Sequence, residues 1–350
     1  ICSSDKKNLV TSIHELIEMR NTGIIDGKKS FVTDLKKKVE FEELTIADNT
    51  SHTRAFIKIQ DGCDKYCTFC IIPFLRGHVR SRKLEDIVTE IDNLSQKGIK
   101  EFVFTGINMS AYGADINYEH DLADVINSVN ELPLVERIRI SSLDPDIVTV
   151  DFLEKIRNSK KVCPHFHLSL QSGSNPVLEN MKRGYTAEEY FEKCNLLREY
   201  YDNPAITTDI IMGFPGETEE MAQETYDYVR KIGFSAVHVF PYSKRDGTVA
   251  ADMPSQIPSD IKSERTGKLT DITNKVKEKY NDGCIGKADS ILIEEIIEAD
   301  GLSYYTGYTT RYVKCLIRRD DGINIGDTVK AVVSGRFNKE YMLADVVNDM

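Results

Sequence analysis

From about residue 54 the chain alternates short apolar runs with stretches of helical periodicity. The runs are AFIKIQ (55–60), EFVFTG (101–106), ERIRIS (136–141), FHLSLQ (166–171), ITTDIIMG (206–213) and SAVHVFPY (235–242). Between the first two, Leu84, Ile87, Val88, Ile91 and Leu94 fall on one helical face, and Gly98 offers a stop. Residues 216–233 repeat the design, with acidic residues in the first turn and Gly233 after the end. Six strand–helix units predict parallel strands joined by right-handed crossovers. They fall short of a closed eight-unit barrel, so an incomplete barrel and a doubly wound sheet both fit.

The alternation within the strands favours the barrel. Ile57 and Ile59 oppose Lys58 and Gln60; Ile138 and Ile140 oppose Arg139 and Ser141; Phe166, Leu168 and Leu170 oppose His167, Ser169 and Gln171. Asp209 and His238 extend the polar set. A parallel sheet covered on both faces reads as nearly continuous apolar runs. Here one face is apolar and the other polar, which predicts an interior that holds a polar ligand. Alternatively, some of these residues pair with one another as interior salt bridges. Leu269, Ile272 and Val276 mark a long helix over 259–283. From about residue 287 short β-runs (DSILIEEI, GYTTRYVKCLI, DTVKAVV, EYMLADVV) predict a small barrel of the oligonucleotide-binding sort. Upstream, Leu9, Ile13, Leu16 and Ile17 sit near helical spacing, and the charged 34–44 stretch reads as a linker or a solvated face.

Composition narrows the picture. With 350 residues and 41% hydrophobic content the chain can bury one large core and a small second domain. No apolar run approaches the roughly 20 residues of a membrane span. The chain begins at Ile1 and is read as a fragment or a processed chain. The net charge of −11 argues against a general nucleic-acid binder, but leaves room for local basic patches. Arg76, Arg80 and Arg82 form one candidate, and Arg311, Lys314, Arg318 and Arg319 another.

Eight cysteines are too few for a disulfide scaffold in a chain this long. Cys63, Cys67 and Cys70 cluster as C-x-x-x-C-x-x-C, while Cys2, Cys163, Cys194, Cys284 and Cys315 are scattered and read as small buried hydrophobes. A structural zinc site wants four protein ligands, and His78 is a poorly spaced fourth. Three thiolates suit a four-iron cluster with one iron open to a small molecule. The loop follows the first strand, at the edge of the barrel where such folds do chemistry.

The segment CDKYCTFC, with Phe69 at the aromatic position, resembles the signature of the radical S-adenosylmethionine enzymes. FIKIQDGCDKYCTFCIIPFLRGHVRSR, TGINMSAYG, RISSLDP, HFHLSLQSGSNPVLENMKRGYT, TDIIMGFPGETEE and VFPYSKRDGTVAA resemble the methylthiotransferase branch, and the C-terminal β-domain its TRAM domain. The resemblance implies an incomplete (β/α)6 radical-SAM barrel over 51–285, a TRAM domain over 286–350, and a remnant of an N-terminal domain over 1–50. It implies that Cys63, Cys67 and Cys70 ligate a [4Fe–4S] cluster whose fourth iron binds S-adenosylmethionine. Phe69, Gly106, Ser141, Gln171, Ser172 and Asp209 are candidates for holding that molecule.

Within the branch, the chain looks most like enzymes acting on threonylcarbamoyladenosine 37 in the tRNA anticodon loop. Enzymes for isopentenyladenosine in tRNA or for a ribosomal protein are the alternatives, and a non-catalytic iron–sulfur RNA-binding protein is the reading from another class. The arginines of the two basic patches and Lys314 would meet phosphate, a flavodoxin or ferredoxin would supply electrons, and the setting would be cytoplasmic. The family also holds a second cluster on three N-terminal cysteines, whereas only Cys2 lies upstream of Cys63 here. The 350-residue chain is therefore expected to release 5′-deoxyadenosine from S-adenosylmethionine but not to insert sulfur. Incubation with sulfide and tRNA checks this, and a methylthiolated nucleoside would refute it.

Overall fold

A computed structural model describes residues 9–22, 41–43, 53–117, 119–319 and 322–347. Cys2 and most of the 34–44 stretch lie outside these residues. The upstream periodicity forms a helix, Leu9–Asn21. Strand β1 (Arg54–Lys58) is followed by β2 (Gln60–Asp61), which pairs antiparallel with β3 (Arg80–Ser81). Then come β4 (Glu101–Thr105), β5 (Arg137–Leu143), β6 (Val162–Leu168), β7 (Ala205–Met212) and β8 (Ala236–Pro241). The six long strands form one sheet in the order β1-β4-β5-β6-β7-β8, parallel throughout and open between its first and last strands. This is the incomplete six-unit barrel.

The connecting helices form where local sequence stops the chain fraying. Asp121 and Thr186 each make a reciprocal capping box, with Asp124 and Glu189, on helices Leu122–Asn130 and Ala187–Tyr200. Helix Glu219–Ile232 ends at Gly233 in the left-handed region (φ 72°), with Glu219 and Glu220 at its start and Arg230 and Lys231 at its end. The outward faces of the strands bury Ile57, Phe104, Ile140 and Phe166 in one core with Ile91 of helix Leu84–Ser95 and with Val125 and Val229 of the helices above. Each such side chain contributes roughly 1.5–3 kcal/mol of transfer free energy.

Strands β9 (Ala288–Ala299), β10 (Leu302–Thr309), β11 (Lys314–Arg318), β12 (Thr328–Arg336) and β13 (Met342–Val346) close a second barrel in the order β10-β11-β13-β12-β9. Its core is Ile291, Ile293, Cys315, Ile317, Val333 and Met342. Gly307 sits where β9 bulges, and a Cβ there would lie 1.9 Å from the Leu292 carbonyl oxygen. The run expected over 307–317 is split in two by a tight turn, in which Tyr312 takes a left-handed conformation (φ 62°). Cys163, Cys194, Cys284 and Cys315 are buried free thiols. No helix among the described residues is long and apolar enough to cross a membrane.

The two barrels are joined through Glu101, fully buried at the start of β4. Its carboxylate meets Arg54 (3.3 Å), Arg137 (3.3 Å) and Arg139 (2.9 Å). Those arginines then reach across. Arg137 donates to the Tyr308 carbonyl (3.0 Å) and to Ser290 Oγ (2.8 Å). Arg139 donates to the carbonyls of Thr309 and Thr310 (both 2.8 Å), and Arg54 pairs with Glu294. The Tyr312 ring stacks on His165 and Tyr308, with Arg139 over its face. Arg139 is therefore no free ligand-facing group; it is an interior salt bridge and a domain tie.

Burial raises the Glu101 carboxyl, but the cations of Arg139, Arg54 and Arg137 outweigh it and hold it below its ordinary value. Glu101→Gln is expected to cost roughly 3–5 kcal/mol by stranding buried cations, seen as a lower Tm at neutral pH. A carboxyl depressed in the folded state contributes fully above the unfolded glutamate value of about 4.3, and loses that contribution as pH falls through the folded value. The Tm gap between wild type and variant should stay flat down to about pH 5 and close below it. A gap that widens on acidification would contradict this ion-pair account.

Candidate active site

The cysteine loop leaves β2 through Gly62 (φ 74°), where a Cβ would lie 1.9 Å from the His78 carbonyl oxygen. Only glycine fits there. Gln60 closes the loop's base: its amide donates to the carbonyls of Asp61 and Gly62, and its oxygen accepts from the amides of Ile107 and Asn108. Cys63 N–H donates to the Gly77 carbonyl, Thr68 N–H to that of Met181, and Ala250 N–H to that of Thr68. The loop is thus tied on three sides.

Donors converge on the three sulfurs. The Lys65 backbone N–H and the Asn108 side chain face Cys63. Arg183 Nη1 lies 3.3 Å from Cys67 Sγ, and the Ile72 backbone N–H faces Cys70. Burial raises the Cys63 and Cys70 thiols, and neighbouring Cys67 raises both further. Oxygen Oδ1 of Asn108 is buried with no hydrogen-bond partner. Arg183 is buried and fixed by Asp144 (3.1 Å), Tyr185 Oη (2.8 Å) and the Ser169 carbonyl (3.1 Å). Asp144 also binds Lys65 of the loop at 3.0 Å.

N–H donors aimed at three clustered sulfurs suit an anionic iron–sulfur cluster. Among the described residues no three His, Cys, Asp or Glu side chains converge as a single metal ion requires. His78 bonds Asp64 through Nδ1 at 2.6 Å.

Within the barrel lies a cavity of about 620 Å³. Thr105, Ser141, His167, Asp209 and His238 line it from the strands, and helix Ser259–Asp282 and the second barrel close the far side. His167 bonds Thr207 (3.0 Å) and Asp209 (3.3 Å). Burial, with Arg139 beside it, pushes His165 down to about 3, so this ring is neutral at physiological pH. Phe56 projects from the inner face of β1 and remains 57% exposed, an apolar ring facing the interior.

The sequence-derived candidates divide. Ser141 and Asp209 line the cavity. Gln171 stands at a strand end in the left-handed region (φ 78°), bridged to Ile210. Ser172 is buried and bonded to Thr225 and the Ser174 amide, so it is not free to meet a ligand. Phe69 packs against a satellite core of Val177, Met181, Phe214, Tyr242 and Ala250. At Gly106 the close neighbour is the Gln60 side chain, 2.9 Å from where a Cβ would sit. Gln60, expected on the ligand-facing surface, is fully buried.

Most of the basic candidates are committed to acids. Arg76 and Arg80 meet Asp61, Arg82 meets Glu43 and Glu90, Arg311 meets Asp289, and Lys314 meets Glu340. Arg318 and Arg319 are exposed. Sequence reasoning missed Asn108, Asp144 and Arg183 as site residues, although TGIN, SSLDP and MKRGYT contain them.

A sequence model of the Radical SAM superfamily matches residues 57–229. Threonylcarbamoyladenosine tRNA methylthiotransferase MtaB of Bacillus subtilis is 38% identical over 99% of this chain and 76% of its own length. Its namesake in Aquifex aeolicus is 39% identical over 84% of this chain and 70% of its own length. A tRNA-2-methylthio-N(6)-dimethylallyladenosine synthase of Thermoanaerobacter pseudethanolicus is 42% identical over 74% of this chain, which spans 55% of that relative.

Arg183→Leu is expected to weaken iron retention by roughly 10–100-fold, as the loss of a group supporting metal ligands does. Iron per chain after anaerobic reconstitution and chelator challenge measures this. Arg183→Lys should retain part of the effect, and wild-type retention in Arg183→Leu would show the contact to be incidental.

Proposed function

This chain belongs to the radical S-adenosylmethionine methylthiotransferases, and we propose that it carries the radical step, removal of the C2 hydrogen of N6-threonylcarbamoyladenosine 37 in tRNA, by which a full-length enzyme of this family installs a methylthio group. The observation that carries the proposal is the juxtaposition of three donor-supported thiols with a polar interior cavity. The substrate assignment is supported by alignment along 99% of the chain with a relative named for threonylcarbamoyladenosine.

Cys63, Cys67 and Cys70 hold the [4Fe–4S] cluster, and S-adenosylmethionine binds beside them. Together these cofactors supply reductive cleavage of a sulfonium and hydrogen abstraction from carbon. The protein's own residues do the rest. Arg183, Asn108 and the loop amides stabilise negative charge on sulfur. Ser141 and the His167–Asp209 pair offer polar contacts along the cavity wall. Phe56 offers a stacking face for the base, worth roughly 1–3 kcal/mol. An anticodon-loop adenine leaves its stack at small cost, because no duplex has to be opened. We read residues 286–350 as a TRAM domain whose exposed Arg318 and Arg319 meet phosphate. Electrons come from a flavodoxin or ferredoxin, and a tRNA substrate puts the work in the cytoplasm.

A second substrate, the dimethylallyl nucleoside, is favoured by the 42% identity to the Thermoanaerobacter synthase. Mass spectrometry of digested tRNA from a strain lacking the full-length gene, with and without complementation by that gene, separates the two. Loss and return of only the methylthio form of threonylcarbamoyladenosine is the expected result. Loss of the dimethylallyl form keeps the chemistry and replaces the substrate, and no change in either removes tRNA as the substrate.

A further inference from the structure

The cavity has two walls of different origin. Its near wall is the inner face of the parallel sheet; its far wall combines Lys277, Tyr280 and Asn281 of the long helix with Tyr308–Lys314 of the second barrel. Residues 277, 280 and 281 are spaced to lie on one helix face. The cavity is therefore complete only with the C-terminal barrel docked, and that barrel does more than tether a nucleic acid.

Five cations line this space: Arg54, Arg139, Lys277, Arg311 and Lys314. Glu101 and Glu294 take Arg54, and Glu101 takes Arg139. Asp289 holds Arg311 at 2.9 Å, and Glu340 holds Lys314 at 2.9 Å. Among the described residues Lys277 alone of the five has no ion pair or hydrogen bond. One turn further on, the Asn281 side chain is likewise without a hydrogen bond among the described residues. Both are half-buried. Glu340 also lines the cavity; Lys314 holds it at 2.9 Å, and Lys277 attracts it without a hydrogen bond or close ion pair between them. A half-buried ammonium facing a polar cavity invites an anion, and the neighbouring amide matches a urea-like group.

We infer that Lys277 reads a carboxylate on the base substituent of the substrate, with Asn281 beside it meeting the adjoining polar linkage. The inference rests on the substrate assignment above, and it makes the helix–barrel wall the specificity element of the enzyme. A threonylcarbamoyl group carries both a carboxylate and a urea linkage, whereas an apolar dimethylallyl group would leave the ammonium facing hydrocarbon.

The test is calorimetric binding of free nucleosides to the full 350-residue chain, which needs no turnover. The probes are threonylcarbamoyladenosine, its methyl ester and dimethylallyladenosine. Wild type should prefer the acid to its ester by roughly tenfold or more, the size of a charge-assisted hydrogen bond. Lys277→Met should bring that ratio close to one, and Lys277→Arg should keep most of it, with thermal melting confirming that each variant folds. An acid-over-ester preference that survives in Lys277→Met overturns the role of Lys277 and leaves the substrate standing. Tighter wild-type binding of dimethylallyladenosine than of the acid overturns the substrate assignment and this inference with it. Failure of all three nucleosides to bind overturns the inference as well.

Discussion

The arrangement depends on one buried carboxylate. Glu101 faces inward at the base of β4, where an uncompensated charge would cost several kcal/mol. Three arginines from β1 and β5 surround it, and three positive charges against one leave an excess. That excess is satisfied outside the first barrel, by the carbonyls of Tyr308, Thr309 and Thr310 and by Glu294. The second barrel is therefore the electrostatic complement of the first. A buried ion cluster is weak evidence for net stability. Its consequence here is geometric: it fixes the β10–β11 turn against the lower end of the sheet and so gives the cavity its floor.

At the upper end the constraint is of another kind. The cysteine loop carries few side chains of its own to pack, and its shape comes from backbone hydrogen bonds and from Gly62, whose place no larger residue could take. Tyr66 in the loop, and Ser142 and Gln171 at strand ends, all hold left-handed conformations (φ 48°, 56° and 78°). Strain of this sort persists where surrounding structure over-determines it, and it gathers at functional sites. Asp144 links the two systems, since it binds loop residue Lys65 on one side and Arg183, the Cys67 donor, on the other. Electrostatic preorganisation of the sulfurs therefore depends on the end of β5, the strand whose start anchors the second barrel.

Periodicity carried the fold well and the partners poorly. The two-residue alternation correctly turned Ile57, Ile138 and Phe166 outward to the helices, and Ser141, His167 and Asp209 inward. It could not say what an inward polar residue meets. Arg139 looked like a ligand contact because its partner Glu101 lies 38 residues away on another strand. Gln60 and Gly106 were legible as special positions, yet they meet each other. The three cysteines stood out because their spacing is local. Arg183, which donates to Cys67 from 116 residues away, did not.

The same limit governs the basic patches and alters how a chain of net charge −11 can hold RNA. Arg80 and Arg82 lie within three positions of exposed Lys83, but Asp61, Glu43 and Glu90 fold back onto them. Cations spent on structure release no counterions from a phosphate backbone. With Arg76, Arg311 and Lys314 also engaged, Arg318 and Arg319 are the candidates of these two patches left exposed, and the net negative charge of the chain is repulsive to phosphate at long range. On the function proposed above, capture of one base in the interior adds stacking and polar contacts that are far less sensitive to salt than contacts to phosphate. A binding mode of that kind would tie recognition of the RNA to recognition of the nucleoside, because a cavity that positions the reacting base also contributes binding energy.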